Sequence, residues 1–312
     1  MEKHDQDRRL LLKLMSGVAL GAAAFPFGVS AQEVPWSAGT ERPKTRAPAN
    51  ATDCHHHIYD KRFPTDPRAT LPAEDATVAD YRKLQQRIGT SRNVAVQPSA
   101  YGTDNRGLVD ALASFGSTAR GVAVVNTGVD DEELKRLHEA GVRGIRFNLK
   151  FPAGPTADML EPLSRRIDPL GWHIQINASA DQIVAIEGIL NQLPTPIVFD
   201  HLAQIPEPAG MNDPSFGVVA KLIGKGRTWI KLTGPYITSK VGPPTYADAG
   251  AVAKAFVQLA PERMVWGSDW PHPSEKTKPD DALLFDLLAE WTPGESVRNR
   301  VLVENPAALY GF

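Results

Sequence analysis

From residue 51 onward, short runs of apolar and β-branched residues alternate with longer segments in which apolar positions recur every three to four residues. The short runs predict strands and the longer segments helices. Eight strands are legible, at 52–58, 92–97, 121–126, 144–149, 173–177, 196–201, 229–233 and 264–269. Leu108, Leu112 and Phe115 fall on one helical face. Asp130 is placed to cap a helix whose apolar side is Leu134 and Leu137. Helical pattern also covers 252–259 and 282–290. Eight strands alternating with helices in about 260 residues match a single-domain α/β fold, the (β/α)8 TIM barrel. An open doubly wound sheet is the rival, but the first strand-to-helix turn has no Gly-rich phosphate loop. No repeat of fixed period and no Gly/Ser-rich linker divides residues 51–312.

The first fifty residues break this pattern. Arg8-Arg9 precedes an apolar run that ends near Phe27, with small residues Val29 and Ala31 after it. That order matches a twin-arginine export signal over 1–31, with cleavage near Ala31 and a periplasmic mature protein. The run is short for a membrane span, which takes roughly 20 apolar residues. Residues 32–50 are rich in Pro, Ala and charge without a period, and are expected to form a flexible lead-in.

Charge and cysteine usage narrow the function classes. Acidic and basic residues number 36 and 34. This balance offers no electrostatic basis for binding nucleic acid or an anionic membrane surface. Cys54 is the single cysteine, so no intrachain disulfide and no cysteine metal cluster can form. Beside the histidine pair it suits packing better than nucleophilic catalysis. The oligomeric state is left open.

In a barrel, chemistry collects at the carboxyl ends of the strands. His55 and His57 share one face of the first strand, and His56 takes the other. The second strand ends near Gln97 and Ser99, with Tyr101 beyond; the fourth offers Arg146, the fifth Asn177, the sixth His201 and the eighth Asp269. His55, His57, Arg146, His201 and Asp269 come from four strands, which favours an active site over five unrelated structural roles. A carboxylate can take a proton from water. Imidazole N–H groups can stabilise an oxyanion, and the planar fork of arginine suits a carboxylate. His55, His57 and Asp269 could alternatively hold one divalent ion such as zinc, for which three protein ligands suffice. Asp53 and Asp200 precede site histidines and are expected to face away from them in structural roles. His272 is expected in a turn or behind the site.

Three motifs carry a resemblance. Asp53-Cys54-His55-His56-His57, Phe199-Asp200-His201 and Trp266-Gly267-Ser268-Asp269-Trp270-Pro271-His272-Pro273 together resemble the amidohydrolase superfamily. Within it they are similar to the branch that contains 2-pyrone-4,6-dicarboxylate lactonase. The stretches 102–106, 120–125, 141–148 and 303–310 extend the resemblance from about residue 50 to the end. It implies a barrel hydrolase that opens a small-molecule lactone or carboxylate substrate without a cofactor. Asp269 would be the base, His55, His57 and His201 would polarise the carbonyl, and Arg146 would hold a substrate carboxylate. Ser99, Tyr101 and Asn177 are further substrate-binding candidates. Metal-dependent relatives carry a histidine where this chain has Asn177, which points to metal-free action. The branch also implies arginines after the fourth and seventh strands. Here those stretches read Lys150-Phe151-Pro152-Ala153-Gly154 and Gly234-Pro235-Tyr236-Ile237-Thr238, with Lys150 and Lys240 the nearest cations. A lactone with one carboxylate, or a sugar-acid lactone, then fits better than a dicarboxylate. Two alternatives stand beside hydrolysis: an aldaric acid lactone isomerase, and a periplasmic sugar-acid binding protein without turnover.

Overall fold

A computed structural model describes residues 33–70, 74–151 and 154–312; the expected export signal lies outside these residues. Eight strands form the sheet: β1 (Thr52–His56), β2 (Arg92–Val96), β3 (Ala119–Ala123), β4 (Val142–Asn148), β5 (His173–Asn177), β6 (Ile197–Phe199), β7 (Thr228–Leu232) and β8 (Met264–Trp266). They lie in sequence order and each consecutive pair is parallel. The last strand meets the first through the Asp269 N–H, which donates to the His55 carbonyl at 2.8 Å. The Ser268 N–H and hydroxyl both donate to the Asp53 carboxylate, at 2.9 and 2.6 Å. Gly267 permits this close approach: a Cβ there would stand 2.6 Å from the His55 Cβ.

One main helix follows each strand: α1 (Val78–Ile88), α2 (Arg106–Phe115), α3 (Asp131–Glu139), α4 (Leu160–Ile167), α5 (Ala180–Ala185), α6 (Pro214–Gly224), α7 (Ala247–Leu259) and α8 (Asp281–Trp291). The fold is the single-domain (β/α)8 barrel that the pattern predicts. Asp130 caps α3 by accepting from the Glu133 N–H at 2.7 Å. Leu108 and Leu112 of α2, and Leu134 and Leu137 of α3, are buried between helix and sheet.

A second, smaller core fills the barrel interior. Cys54, Val94, Val96, Val122, Val198, Trp229 and Val265 pack there with Tyr310 from the C-terminal helix. Burial pushes the Cys54 thiol well above its ordinary range, as suits a packing residue. Among the described residues no helix is long and apolar enough to cross a membrane.

Residues 33–50 depart from the expected flexible lead-in. Val34 is buried, and the Pro35 carbonyl accepts from the Trp270 indole at 2.7 Å. The Glu41 carbonyl accepts from Arg87 Nε, and the amides of Lys44 and Thr45 donate to Asp286. The segment has no period of its own because side chains of the barrel, rather than a regular ladder, satisfy its backbone.

Candidate active site

Two backbone departures set up the site. The pairing of β1 with β2 shifts register between Asp53 and His56. Cys54 faces the inner core, yet His55 also turns inward, so the bulge gives two successive residues an inward aim. Asp53 and His56 point outward: Asp53 accepts from the Tyr81 hydroxyl at 2.9 Å, and His56 stacks on Tyr81 and bonds to Asn93. The second departure follows β6 and β8, which are shorter than expected. His201, Leu202, Ala203 and Gln204 take φ of 50°, 54°, 55° and 48°, and Asp269 takes 64°. Left-handed backbone is costly for residues with a Cβ and collects at functional sites.

These turns aim His201 and Asp269 at the histidines of β1. Asp269 Oδ1 stands 3.5 Å from His55 Nε2, 3.6 Å from His57 Nε2 and 4.0 Å from His201 Nε2. The four side chains are almost wholly buried. Burial alone would raise the Asp269 carboxyl, but the facing His201, His57 and His55 imidazoles hold it well below the usual carboxylate range. Burial keeps the His55 and His201 imidazoles below their ordinary value, so both favour the neutral form. The Val96 carbonyl accepts from His57 Nδ1 at 2.8 Å. A carbonyl offers no proton, so Nδ1 carries a hydrogen and is the donor.

A charged layer lies behind His55. Asp200 Oδ1 is 3.1 Å from His55 Nδ1, and Asp200 Oδ2 accepts from Arg146 Nε at 3.0 Å. Lys231 Nζ donates to Gln175 at 2.7 Å, sits 3.2 Å from His55 Nδ1 and 3.8 Å from Asp200. Burial opposes ionisation of Asp200, yet the facing His55, Arg146 and Lys231 keep its carboxyl well below the usual range. Burial brings the Lys231 ammonium down to about 8. Asp200 therefore turns into the site rather than away from it: its backbone is still extended (φ −72°, ψ 153°) and continues the alternation of inward Val198 and outward Phe199, and it is His201 that the left-handed turn redirects. Lys231 lies among apolar residues of β7, and Gln175 is likewise one polar group inside an apolar strand. A lysine within such a run is the sequence signal that could have disclosed the charged layer.

The pocket above this layer measures about 120 Å³ and is lined in part by His57, Ser99, Arg146, Asn177, His201 and Asp269. His55 is not on its wall. Arg146 offers its terminal nitrogens, which have no partner among the described residues, while Asp200 fixes Nε. Ser99 accepts from Asn148 at 2.7 Å, and Asn177 donates to Asn148 at 3.0 Å. Lys150 also lines the pocket and donates to Gln204 at 2.6 Å, whereas Lys240 does not reach it. Tyr101 does not reach the pocket either. Its hydroxyl accepts from the Asp60 N–H at 2.8 Å and donates to the Asp60 carbonyl, so it braces the loop after β1.

Tyr236, in the stretch after β7 that lacks the expected arginine, donates to Asp269 Oδ2 at 2.7 Å. It lies in a turn beyond β7, out of reach of any strand periodicity. His272 lies behind Asp269, as expected, and touches Tyr236 at 2.8 Å.

The donor set also suits a divalent ion. His55 Nε2 and His57 Nε2 are 3.3 Å apart, and Asp269 Oδ1 is 3.5 and 3.6 Å from them. Tetrahedral zinc with bonds of about 2.1 Å sets its donors roughly 3.4 Å apart. His55, Asp200 and His201 form a second such group, but Asp200 is already engaged by Arg146.

Comparison with known proteins bears on the family and the fold. A family model described as amidohydrolase matches residues 52–312. The 2-pyrone-4,6-dicarboxylate hydrolase of Comamonas testosteroni is 35% identical over 88% of this chain and 94% of its own length. The D-galactarolactone isomerase of Agrobacterium fabrum is 30% identical over 86% of this chain and 93% of its own. A crystal structure of an Agrobacterium tumefaciens protein without ligand superposes with a TM-score of 0.82 at 29% identity, covering 89% of this chain and 98% of the other. With its whole barrel matched by the family model and its relatives matched almost end to end, the chain belongs to the amidohydrolase family.

Proposed function

We propose that the protein hydrolyses a carboxylated lactone, with Asp269 as the general base. The observation that carries this reading is the Asp269 Oδ1 atom, 3.5–4.0 Å from three imidazole nitrogens beneath a pocket that Arg146 also lines. Water attacks the lactone carbonyl carbon and gives its proton to Asp269. The carbonyl electron pair becomes an oxyanion, met by the Nε2–H of His201, which stands on the pocket wall. Collapse breaks the ring C–O bond, and the proton on Asp269 passes to the departing oxygen. An open acid leaves and the carboxylate is restored. His57 faces the same space, while His55 acts from behind it. Arg146 takes the substrate carboxylate on its free terminal nitrogens. With lysine and tyrosine after β4 and β7, a substrate with one carboxylate or a sugar-acid lactone suits the pocket better than a dicarboxylate.

We assign this action to the chain without a metal. Asn177 in the strand-five position supports that, as does the Lys231 ammonium 3.2 Å behind His55, which already brings positive charge to the cluster. A divalent ion, if bound, would be held by His55, His57 and Asp269 and would act as a Lewis acid toward the carbonyl. The test is a panel of carboxylated lactones followed by NMR, with and without chelator. Ring-opened acid that forms equally in both arms is expected. Loss of activity with chelator and its return with zinc or manganese would assign the site to a metal.

The isomerase relative supports a second reading, in which the same base serves ring transfer between hydroxyls. It predicts a rearranged lactone in place of the open acid, and the same spectra decide. A buried base aimed into the pocket argues against a binding protein without turnover. We also propose that the twin-arginine signal delivers the mature chain to the periplasm. Cell fractionation tests this, and full-length chain in the cytoplasm would refute it.

A further inference from the structure

On the side of Asp269 away from the histidines, three groups form a chain of polar contacts. The Tyr236 hydroxyl donates to Asp269 Oδ2 at 2.7 Å and lies 2.8 Å from His272 Nδ1. His272 Nε2 lies 3.1 Å from Asp281 Oδ2. His272 and Asp281 are both fully buried, and none of the three lines the pocket. They come from separate elements: the turn after β7, the loop after β8, where His272 has φ 55°, and the first residue of α8.

Counting hydrogens orders the chain. Its three links need three protons. An ionised Asp269 only accepts, so Tyr236 spends its single proton on Oδ2. His272 Nδ1 must then donate to the tyrosine oxygen, and the third proton lies between His272 Nε2 and Asp281 Oδ2. Arranged so, all three links are made, and only Asp281 Oδ1 keeps no partner among the described residues. Hydrogen bonds within a buried network hold its members in place.

The carboxylate torsion of an aspartate is otherwise broad. With Oδ2 tied to Tyr236, only Oδ1 is left facing His55, His57 and His201. We propose that Asp281, His272 and Tyr236 are a positioning relay that holds the Asp269 carboxylate so that Oδ1 alone serves as the base. This inference rests on the reading of Asp269 as base. Tyr236 is the residue in contact, and His272 and Asp281 act through it.

Steady-state kinetics on the opened lactone provide the first test. Tyr236→Phe keeps the ring and removes the donor. It should lower kcat about 10- to 100-fold, the range of a hydrogen bond to a charged group, with KM unchanged. His272→Asn keeps a side chain that tolerates positive φ and should lower kcat less. The double variant should be no slower than Tyr236→Phe alone, because His272 acts only through the hydroxyl. Unchanged kcat in Tyr236→Phe, or losses that multiply in the double variant, would overturn the relay. Should Tyr236→Phe fail to fold, His272→Asn decides alone: lower kcat at constant KM is expected, and an unaltered kcat overturns it. Crystal structures of wild type and Tyr236→Phe give a readout that needs no turnover. In the variant, Asp269 Oδ1 should leave the 3.5–3.6 Å positions beside His55 and His57; an unmoved carboxylate overturns the relay. A wild type that opens no lactone would refute the proposed function, while the crystal comparison would still decide the positioning role.

Discussion

The two ends of the barrel are buried to the same degree and built from opposite materials. At the amino end of the strands, Val94, Val122, Val198 and Val265 pack against Trp229 and Tyr310. At the carboxyl end, His55, Arg146, Asp200, Lys231 and Asp269 are equally buried. The apolar end gains free energy from burial. The polar end loses it, and holds together only because each charge faces a polar partner: Asp200 between His55 and Arg146, Asp269 between Tyr236 and the imidazoles. The left-handed residues at 201–204 and 269 add cost at the same end. One end supplies the stability that the other consumes, which is the usual arrangement for a preorganised site.

Substitutions at the two ends should separate these roles. Asp269→Asn preserves shape and removes the base. Lactone turnover should fall by about 10²–10⁴-fold while substrate still binds and the melting temperature holds; near-normal turnover would defeat the mechanism. Tyr310→Ala at the opposite end should cost about 3–5 kcal/mol of stability, read by urea denaturation. The folded fraction should keep its kcat, and a matching loss of kcat would mean that the two ends are coupled. Arg146→Lys removes the planar fork. It should raise KM for an acid substrate by about tenfold or more and affect a neutral lactone less. Equal losses on both substrates would make Arg146 structural.

A last comparison concerns pH. Burial lowers both His56 and His173 from 6.5 to about 3. Between those values the unfolded chain binds a proton at each that the folded chain does not. Stability is therefore complete above pH 6.5 and falls on acidification, by about 1.4 kcal/mol per pH unit for each histidine. Denaturation curves from pH 7 to pH 4 should show the slope, and His56→Gln should remove its share. A slope unchanged in that variant would show that His56 is not a source.

The barrel was legible because its signals are local. Apolar runs bounded by turns, and helices with caps such as Asp130, announce themselves within a dozen residues. The candidate site was partly legible for the same reason: His55, His57, Arg146, Asn177, His201 and Asp269 stand at or just beyond strand ends, where a barrel collects chemistry. Other features needed the third dimension. Tyr101 had the right sequence position, but its hydroxyl is claimed by Asp60 across the loop. Residues 33–50 carry no period, and their order comes from distant side chains such as Arg87 and Trp270.

The sequence by itself determined the order of strands and helices, the family motifs and the residue types available at the barrel mouth. Tertiary structure decided which of those side chains meet. A bulge in β1 turned His55 inward beside Cys54, and left-handed turns aimed His201 and Asp269 at it. Closure of the sheet brought Lys231 behind His55, 176 residues away in the chain. Periodicity reports which face a residue takes on its own element. A contact between elements depends on register, bulges and barrel closure, and those are set by the packing of the whole chain.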